Sequence, residues 1–340
     1  MAVFLLREAE KRPGVYYAFT ADGVELPVID VTHPAFALNI SNSEQRDLVD
    51  KFLQSKVPFS SLPKFLRTSL LRFLLRESLL ARGIDQSQGT FMTGMHTYLL
   101  KLGPEMLGKA YAKPVDRQIG ASLPVLSARL RLQDVAHLMT ETLLPGLVAD
   151  PRRPLYFMNI AGGPAIDSLN ALIILNKRNP GIFAERQVFI DVLDLDDVGP
   201  TFGERALSVL SADGGPLHGT DVTFLYSRYD WSEPESLGPR LKEAHRTGAA
   251  VIVSSEGGLF EYGSDEDIEG NLNLLRASPD VAAVVGSVTR ADEAMRRLRE
   301  TSTAATRPRG LQVFGNLVQK AGWRVTRAVE RPFSDQVVLM

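Results

Sequence analysis

Residues 155–174 read Leu-Tyr-Phe-Met-Asn-Ile-Ala-Gly-Gly-Pro-Ala-Ile-Asp-Ser-Leu-Asn-Ala-Leu-Ile-Ile, and no other stretch constrains the chain so tightly. The opening apolar run has the pattern of a strand buried on both faces of a parallel sheet. A turn of small residues follows, from Ala161 to Ala165. Ile166, Leu169, Leu172, Ile173 and Leu175 then recur at helical spacing. Strand, small-residue turn and helix, in that order, open a nucleotide-binding α/β unit. Small residues let the chain reverse tightly and let a ligand approach the backbone. Ala161 and Ala165 stand where a glycine fingerprint has Gly, so an ordinary strand–helix turn reads equally well from this stretch alone.

Downstream the pattern repeats. Strands are expected at 155–160, 188–194, 222–226, 250–254, 281–288, 324–330 and 336–340. Helices are expected between them at 165–177, 200–211, 235–246, 265–276, 291–300 and 311–321. Such alternation implies a parallel sheet with helices on both faces. The last two strands are joined by Arg331-Pro-Phe-Ser-Asp335, too short for a crossover helix, so they must pair antiparallel.

The first 150 residues differ in character. Residues 15–19 and 24–31 flank Ala21-Asp22-Gly23, a hairpin signal, with Pro27 and Pro34 pointing to edge or irregular segments. Ser41 and Glu44 have the spacing of a capping box. Residues 62–82 form a long apolar helix bearing Arg67, Arg72, Arg76 and Arg82. Packing inside a helical domain explains it better than a membrane surface. Further helices are expected at 89–107 and 123–147, with Gly103-Pro104 and Lys113-Pro114 breaking the run. Asp150-Pro-Arg-Arg-Pro154 is a polar, proline-rich boundary. The chain therefore divides into 1–150, a β-hairpin element with a helical cap for substrate binding or dimerisation, and 151–340, an α/β domain that binds a cofactor.

The strand ends carry the chemistry. The second strand of the α/β part ends in Asp194, followed by Asp196 and Asp197. A carboxylate there can accept from both ribose hydroxyls of a nucleoside, and Asp194 is the choice, with Asp196 better placed to cap the next helix. The third ends in Tyr229-Asp230-Trp231, where an acid can accept from adenine's amine and an aromatic can cover the ring. Both residues read equally well as a helix cap and core packing. Beyond the fourth lie Ser255, Glu256 and Tyr262, with Ser264 and Asp267 spaced as a capping box. Asp191, inside a buried run, calls for a hydrogen-bonded structural role.

This ordered set resembles the class I S-adenosylmethionine-dependent methyltransferases. Asn-Ile-Ala-Gly-Gly-Pro-Ala, strand-end Asp194, Tyr-Asp-Trp and the terminal hairpin follow the order of that class over about residues 150–340. Ser255-Glu-Gly-Gly-Leu-Phe-Glu-Tyr262 is similar to the Glu-Gly-x-x-x-Tyr segment of leucine-carboxyl and polyketide O-methyltransferases. The resemblance implies a Rossmann-like methyltransferase sheet, mostly parallel with a C-terminal antiparallel hairpin, preceded by a mainly helical N-terminal domain. It implies S-adenosylmethionine as cofactor, bound by Asn159, Ala161, Gly162, Gly163, Asp194, Asp196, Asp230, Trp231 and Ser255. An arginine upstream would contact the methionine carboxylate, with Arg129 or Arg131 as the candidate. The chain departs from the pattern in having Asn159 for the first-motif acid, Ala161 and Ala165 for two glycines, and no Arg-Thr pair.

The expected activity is methyl transfer to a small-molecule acceptor, with oxygen favoured. A carboxylate acceptor needs no base. For an alcohol or phenol, His96, Glu256 or Tyr262 would assist. Thr93, His96 and Tyr98 are weaker candidates for shaping the acceptor pocket, and an N-terminal homodimer is compatible with the sequence. Two rivals are an NAD(P)-dependent oxidoreductase and a non-catalytic cofactor-binding scaffold. The long loop before Asp194 and the hairpin oppose the first.

Composition closes other routes. A formal net charge of −2 provides no basic field for nucleic acid. With no cysteine there are no disulfides, thiol nucleophiles or cysteine metal sites. The five histidines lack metal-site spacing, and neither GxSxG nor a Walker A sequence occurs. The opening residues have too short an apolar core for a signal peptide, and no segment spans a membrane, so the expectation is a soluble cytoplasmic protein.

Overall fold

The computed structural model describes residues 5–55, 78–81, 92–109, 112–300 and 304–340. The expected helix at 62–82 lies outside them except for 78–81, as does the start of the one expected at 89–107.

Strands β1 (Tyr17–Phe19) and β2 (Glu25–Pro27) pair antiparallel around a turn with Gly23 at φ 83°. Ser41 and Glu44 cap α1 (Asn42–Gln54) reciprocally, as the sequence predicts. Helix α2 (Gly94–Lys101) starts after Thr93, whose hydroxyl accepts from the His96 N–H. Pro114, expected to break helix, instead opens α3 (Pro114–Gly120), where its missing N–H has no intrahelical partner to lose. Helix α4 spans Leu123–Ala149.

Beyond it run β3 (Leu155–Ile160), α5 (Ile166–Arg178), β4 (Val188–Asp194), α6 (Val198–Ser211), β5 (Val222–Arg228) and α7 (Gly238–Arg246). There follow β6 (Ala250–Ser255), a single turn α8 (Leu259–Tyr262), α9 (Asp265–Ala277) and β7 (Val281–Thr289). The chain ends with α10 (Glu293–Arg299), α11 (Gly310–Lys320), β8 (Val325–Glu330) and β9 (Ser334–Leu339). Strands β3 to β9 form one sheet in the order β5-β4-β3-β6-β7-β9-β8. The first five are parallel, and β9 is antiparallel to both of its neighbours. This is the mostly parallel sheet with a terminal hairpin that the sequence implies.

The period-2 alternation of β3 explains the two cores. Leu155 and Phe157 face one layer, packed with Leu132, Val135 and Met139 of α4 and Leu169 and Leu172 of α5. Tyr156, Met158 and Ile160 face the other, with Leu241, Leu272, Phe314 and Trp323. The first core also takes in Leu26, Val28 and Tyr98, so the N-terminal residues and the sheet share one apolar interior. Asp191 sits in the second layer, its Oδ2 accepting from Tyr156 and Arg240 at 2.7 and 2.8 Å. No helix among the described residues is long and apolar enough to cross a membrane.

The chain runs outward from β3 to β4 and β5, then returns to the other side of β3 as β6. That reversal opens a crevice at the carboxyl ends of β3 and β6, where sheets of this kind bind ligands.

Candidate functional site

The turn after β3 is left-handed at Ala161 (φ 55°), Gly163 (φ 51°) and Ala165 (φ 50°). For alanine this conformation costs about 1–2 kcal/mol per residue. Contacts to three neighbouring elements hold it. Gly163 N–H donates to Asp194 Oδ2 at 2.8 Å, and Leu195 N–H to Oδ1 at 2.8 Å. A Cβ on Gly163 would lie 2.8 Å from Gly94 Cα, and one on Gly199 would lie 2.7 Å from the Gly163 carbonyl carbon. Backbones of α2, the turn and α6 therefore meet at van der Waals distance, which only glycine allows. Burial pushes the Asp194 carboxyl above its ordinary range, against the Gly163 bond that draws it down. The Leu195 and Asp196 N–H groups draw it down as well, so three backbone donors share the carboxylate and one of its four lone pairs is left for another donor.

A cavity opens beside this turn. Thr93, Gly94, Thr97, Tyr98 and Lys101 form its roof, with Ala161, Gly162 and Gly163 along one side. Asp194, Asp196, Asp230 and Trp231 close one end, and Glu256, Gly257, Gly258 and Tyr262 the other. Its enclosed volume is about 50 Å³, well below the ~300–1,000 Å³ usual for a small-molecule site. The contact of Gly94 with Gly163 keeps it narrow.

Eleven of the residues proposed from sequence line this cavity: Thr93, Tyr98, Ala161, Gly162, Gly163, Asp194, Asp196, Asp230, Trp231, Glu256 and Tyr262. Asp196 Oδ1 accepts from Val198 N–H at 3.0 Å, at the start of α6. Asp230 Oδ1 accepts from the Ser232 N–H and hydroxyl at 2.9 and 2.7 Å. Trp231 packs against the second core and accepts from Asn271 through its carbonyl at 2.8 Å. Burial, then Glu261, pushes the Tyr262 phenol up to about 12, so it remains a proton donor at neutral pH.

Four do not line it: His96, Asn159, Ser255 and Arg131. Residues 94, 97, 98 and 101 share one face of α2, and His96 falls off that face, with Nδ1 2.9 Å from Thr93 Oγ1. Asn159 is fully buried under the turn, donating to Asp167 Oδ1 at 2.8 Å and Ser254 Oγ at 2.7 Å. Ser255 Oγ accepts from Leu259 N–H at 2.8 Å and so starts α8. Arg131 lies behind Glu256. Arg129, two residues away on α4, points elsewhere and rests on Gly103.

Lys101 lines the cavity although the sequence reading omits it. Lys101 and Arg131 both pair with Glu256, and Arg131 Nη1 also reaches both Glu261 oxygens at 3.1 Å. All four side chains are largely buried. Burial raises the Glu256 carboxyl, but Lys101 and Arg131 outweigh it and hold the group below its ordinary range. The i, i+3, i+4, i+7 spacing of Gly94, Thr97, Tyr98 and Lys101 is the signal that could have exposed Lys101.

No family model matches the chain, and neither does any curated protein. Among solved structures it is similar to the mitomycin 7-O-methyltransferase MmcR, at 16% identity over 86% of this chain and 74% of that one, with a TM-score of 0.38. It is similar to TnmH at 18% identity over 91% and 81%, also at 0.38. A third similarity is to LepI in complex with SAM, at 16% identity, 56% and 43% coverage and 0.36. The chain spans less than half the length of LepI. At these scores, neither a shared fold nor a shared activity follows from the likeness alone.

Proposed function

We propose that this chain is an S-adenosylmethionine-dependent methyltransferase that methylates oxygen on a small-molecule acceptor. One observation carries the reading: Asp194 ends β4, the neighbour of the central strand β3, bonded to the Gly163 N–H and lining the cavity. When bound, the sulfonium supplies an activated methyl group. The protein's work is then to hold two reactants in line and exclude water.

The residues suit this donor in kind. The remaining lone pair of Asp194 suits a ribose hydroxyl, and Asp230 with Trp231 suits an adenine. Residues 1–150 serve in this reading as the cover that shapes the acceptor site.

Neither Glu256 nor Tyr262 is suited to take a proton from the acceptor. Glu256 is held ionised by two cations, and the Tyr262 phenol keeps its proton. An acceptor that arrives ionised, such as a carboxylate, suits these groups better than a neutral alcohol. Labelled S-adenosylmethionine offered with carboxylates, phenols and alcohols tests this. Label transfer to an oxygen supports the reading, and donor binding without transfer to any acceptor favours a scaffold.

A further inference from the structure

Tyr229-Asp230-Trp231 follows β5, and all three residues line the cavity. The segment is tied at its start by the Tyr229 N–H, which donates to the Asp194 carbonyl at 3.0 Å. The Asp230 carboxylate is half used. Its Oδ1 accepts from the Ser232 N–H and hydroxyl at 2.9 and 2.7 Å, while Oδ2 has no hydrogen-bond partner among the described residues.

Behind the segment stands Asn271, on α9 and fully buried. Its Nδ2 donates to the Trp231 carbonyl and, within its own helix, to the Asp267 carbonyl, both at 2.8 Å. Its Oδ1 accepts from the Tyr229 hydroxyl at 2.5 Å. The amide orientation is forced, because two carbonyls need its donors and leave its oxygen for the phenol. Burial, then Asp230, pushes that phenol up, so it keeps the proton it donates. One amide therefore holds the residues on either side of Asp230. A buried network with its polar groups satisfied in this way fixes one conformation. Packing acts in the same sense: a Cβ on Gly270 would lie 3.1 Å from Pro234 Cγ, so α9 lies close against the chain beyond the segment.

A free carboxylate oxygen accepts from an exocyclic amine and repels a carbonyl. Adenine has the amine. Hypoxanthine has a carbonyl at that position and an N–H on the neighbouring ring atom, so a carboxylate able to shift could serve either base. Discrimination depends on Asp230 being held. We propose that Asn271 makes this site specific for adenine, by holding Tyr229 and Trp231 so that the free oxygen of Asp230 stays at the exocyclic amine. This deepens the methyl-donor reading above and rests on it. Asn271 does not line the cavity and acts as a positioning residue.

The test is calorimetric titration of the full chain with S-adenosylhomocysteine and with S-inosylhomocysteine, its hypoxanthine counterpart. The wild type should favour the adenine compound by about tenfold or more, the worth of one hydrogen bond to a charged group. Asn271→Leu, close in volume and without polar atoms, should bring that ratio to near unity. Tyr229→Phe keeps the ring and loses only the hydroxyl, and should lower the ratio about threefold. It carries the test if Asn271→Leu does not fold. Trp323→Phe removes a different buried bond to the same helix, from the indole N–H to the Leu272 carbonyl at 3.0 Å, and should keep the wild-type ratio. A folded Asn271→Leu or Tyr229→Phe variant whose ratio stays within about twofold of the wild type overturns the assignment. An equal fall in Trp323→Phe overturns it too, since loosening α9 would then suffice. If the wild type binds both compounds alike, Asp230 does not read the amine, and this inference falls while the donor reading stands. If it binds neither, the donor reading falls and this inference with it.

Discussion

Gly163 N–H donates to Asp194 Oδ2 at 2.8 Å, joining the turn after the central strand to the carboxylate that ends its neighbour. The bond fixes the side chain at the cavity that it lines. Hydrogen bonds to charged groups contribute about 1.5–3 kcal/mol. Asp194→Ala should therefore weaken donor binding roughly 10- to 150-fold. Asp196→Ala loses its bond to the Val198 N–H. It should cost about 1 kcal/mol of helix stability or less and leave donor affinity nearly intact. Titration with S-adenosylhomocysteine, with melting measured alongside, separates the two. The reverse pattern would move the ribose contact to Asp196.

Lys101 and Glu256 join α2 to the sheet across 155 residues of sequence. Removing one member of a buried pair leaves the other uncompensated, at a cost of about 3–5 kcal/mol. Lys101→Met should lose stability on that scale, with Arg131 reducing it. Adding Glu256→Gln to that variant should recover part of the loss. A coupling energy above about 1 kcal/mol in urea denaturation is expected, and strict additivity would remove the pair from the account.

Ala161 and Ala165 adopt left-handed backbone that glycine adopts without strain. Each Ala→Gly change there should stabilise the protein by about 0.5–1 kcal/mol, the strain relieved less the entropy glycine adds to the unfolded chain. Ala171→Gly, inside α5, should instead destabilise it by about 1 kcal/mol. Denaturation midpoints of the three variants provide the comparison. Equal losses at all three positions would contradict the backbone assignment.

Burial, then Glu256, raises the Asp167 carboxyl from its ordinary 3.8 to about 6 in the folded chain. A raised acid favours folding while protonated. Its contribution is full below about pH 4 and fades as pH rises through about 6. The difference in unfolding free energy between wild type and Asp167→Asn should therefore move in the variant's favour from pH 4 to pH 7. The upper limit is ~3 kcal/mol. Titrations common to both proteins cancel in that difference. A constant difference across this range would show that Asp167 does not titrate there.

The sheet was legible because its central strands are predominantly apolar runs, and β3 and β4 have the bounds that the sequence predicts. Asp194 was legible because a parallel strand ends its apolar run at the ligand edge. Ala161 and Ala165 were visible as departures from glycine. Their left-handed geometry follows from the turn and not from the residues. The Lys101–Glu256–Arg131 cluster was not legible, since its members meet across 125 and 155 residues. Periodicity defines the faces of a helix but not which face the fold turns toward a site. His96 lies on the same helix as Lys101 but off its cavity face. Asp167 was passed over because an acid in a helix's first turn has an ordinary explanation in the helix dipole.

The central claim is that the crevice between β3 and β6 receives a sulfur nucleoside. Calorimetric titration of the wild-type chain with S-adenosylhomocysteine and, separately, with NADH tests it most directly. The account predicts saturable binding of the sulfur nucleoside at one site per chain, no measurable heat with NADH, and a rise in melting temperature with the first ligand only. Ligand at 100 times its dissociation constant should add about 2.7 kcal/mol of stability. Saturable NADH binding, with neither heat nor stabilisation from S-adenosylhomocysteine, would contradict it.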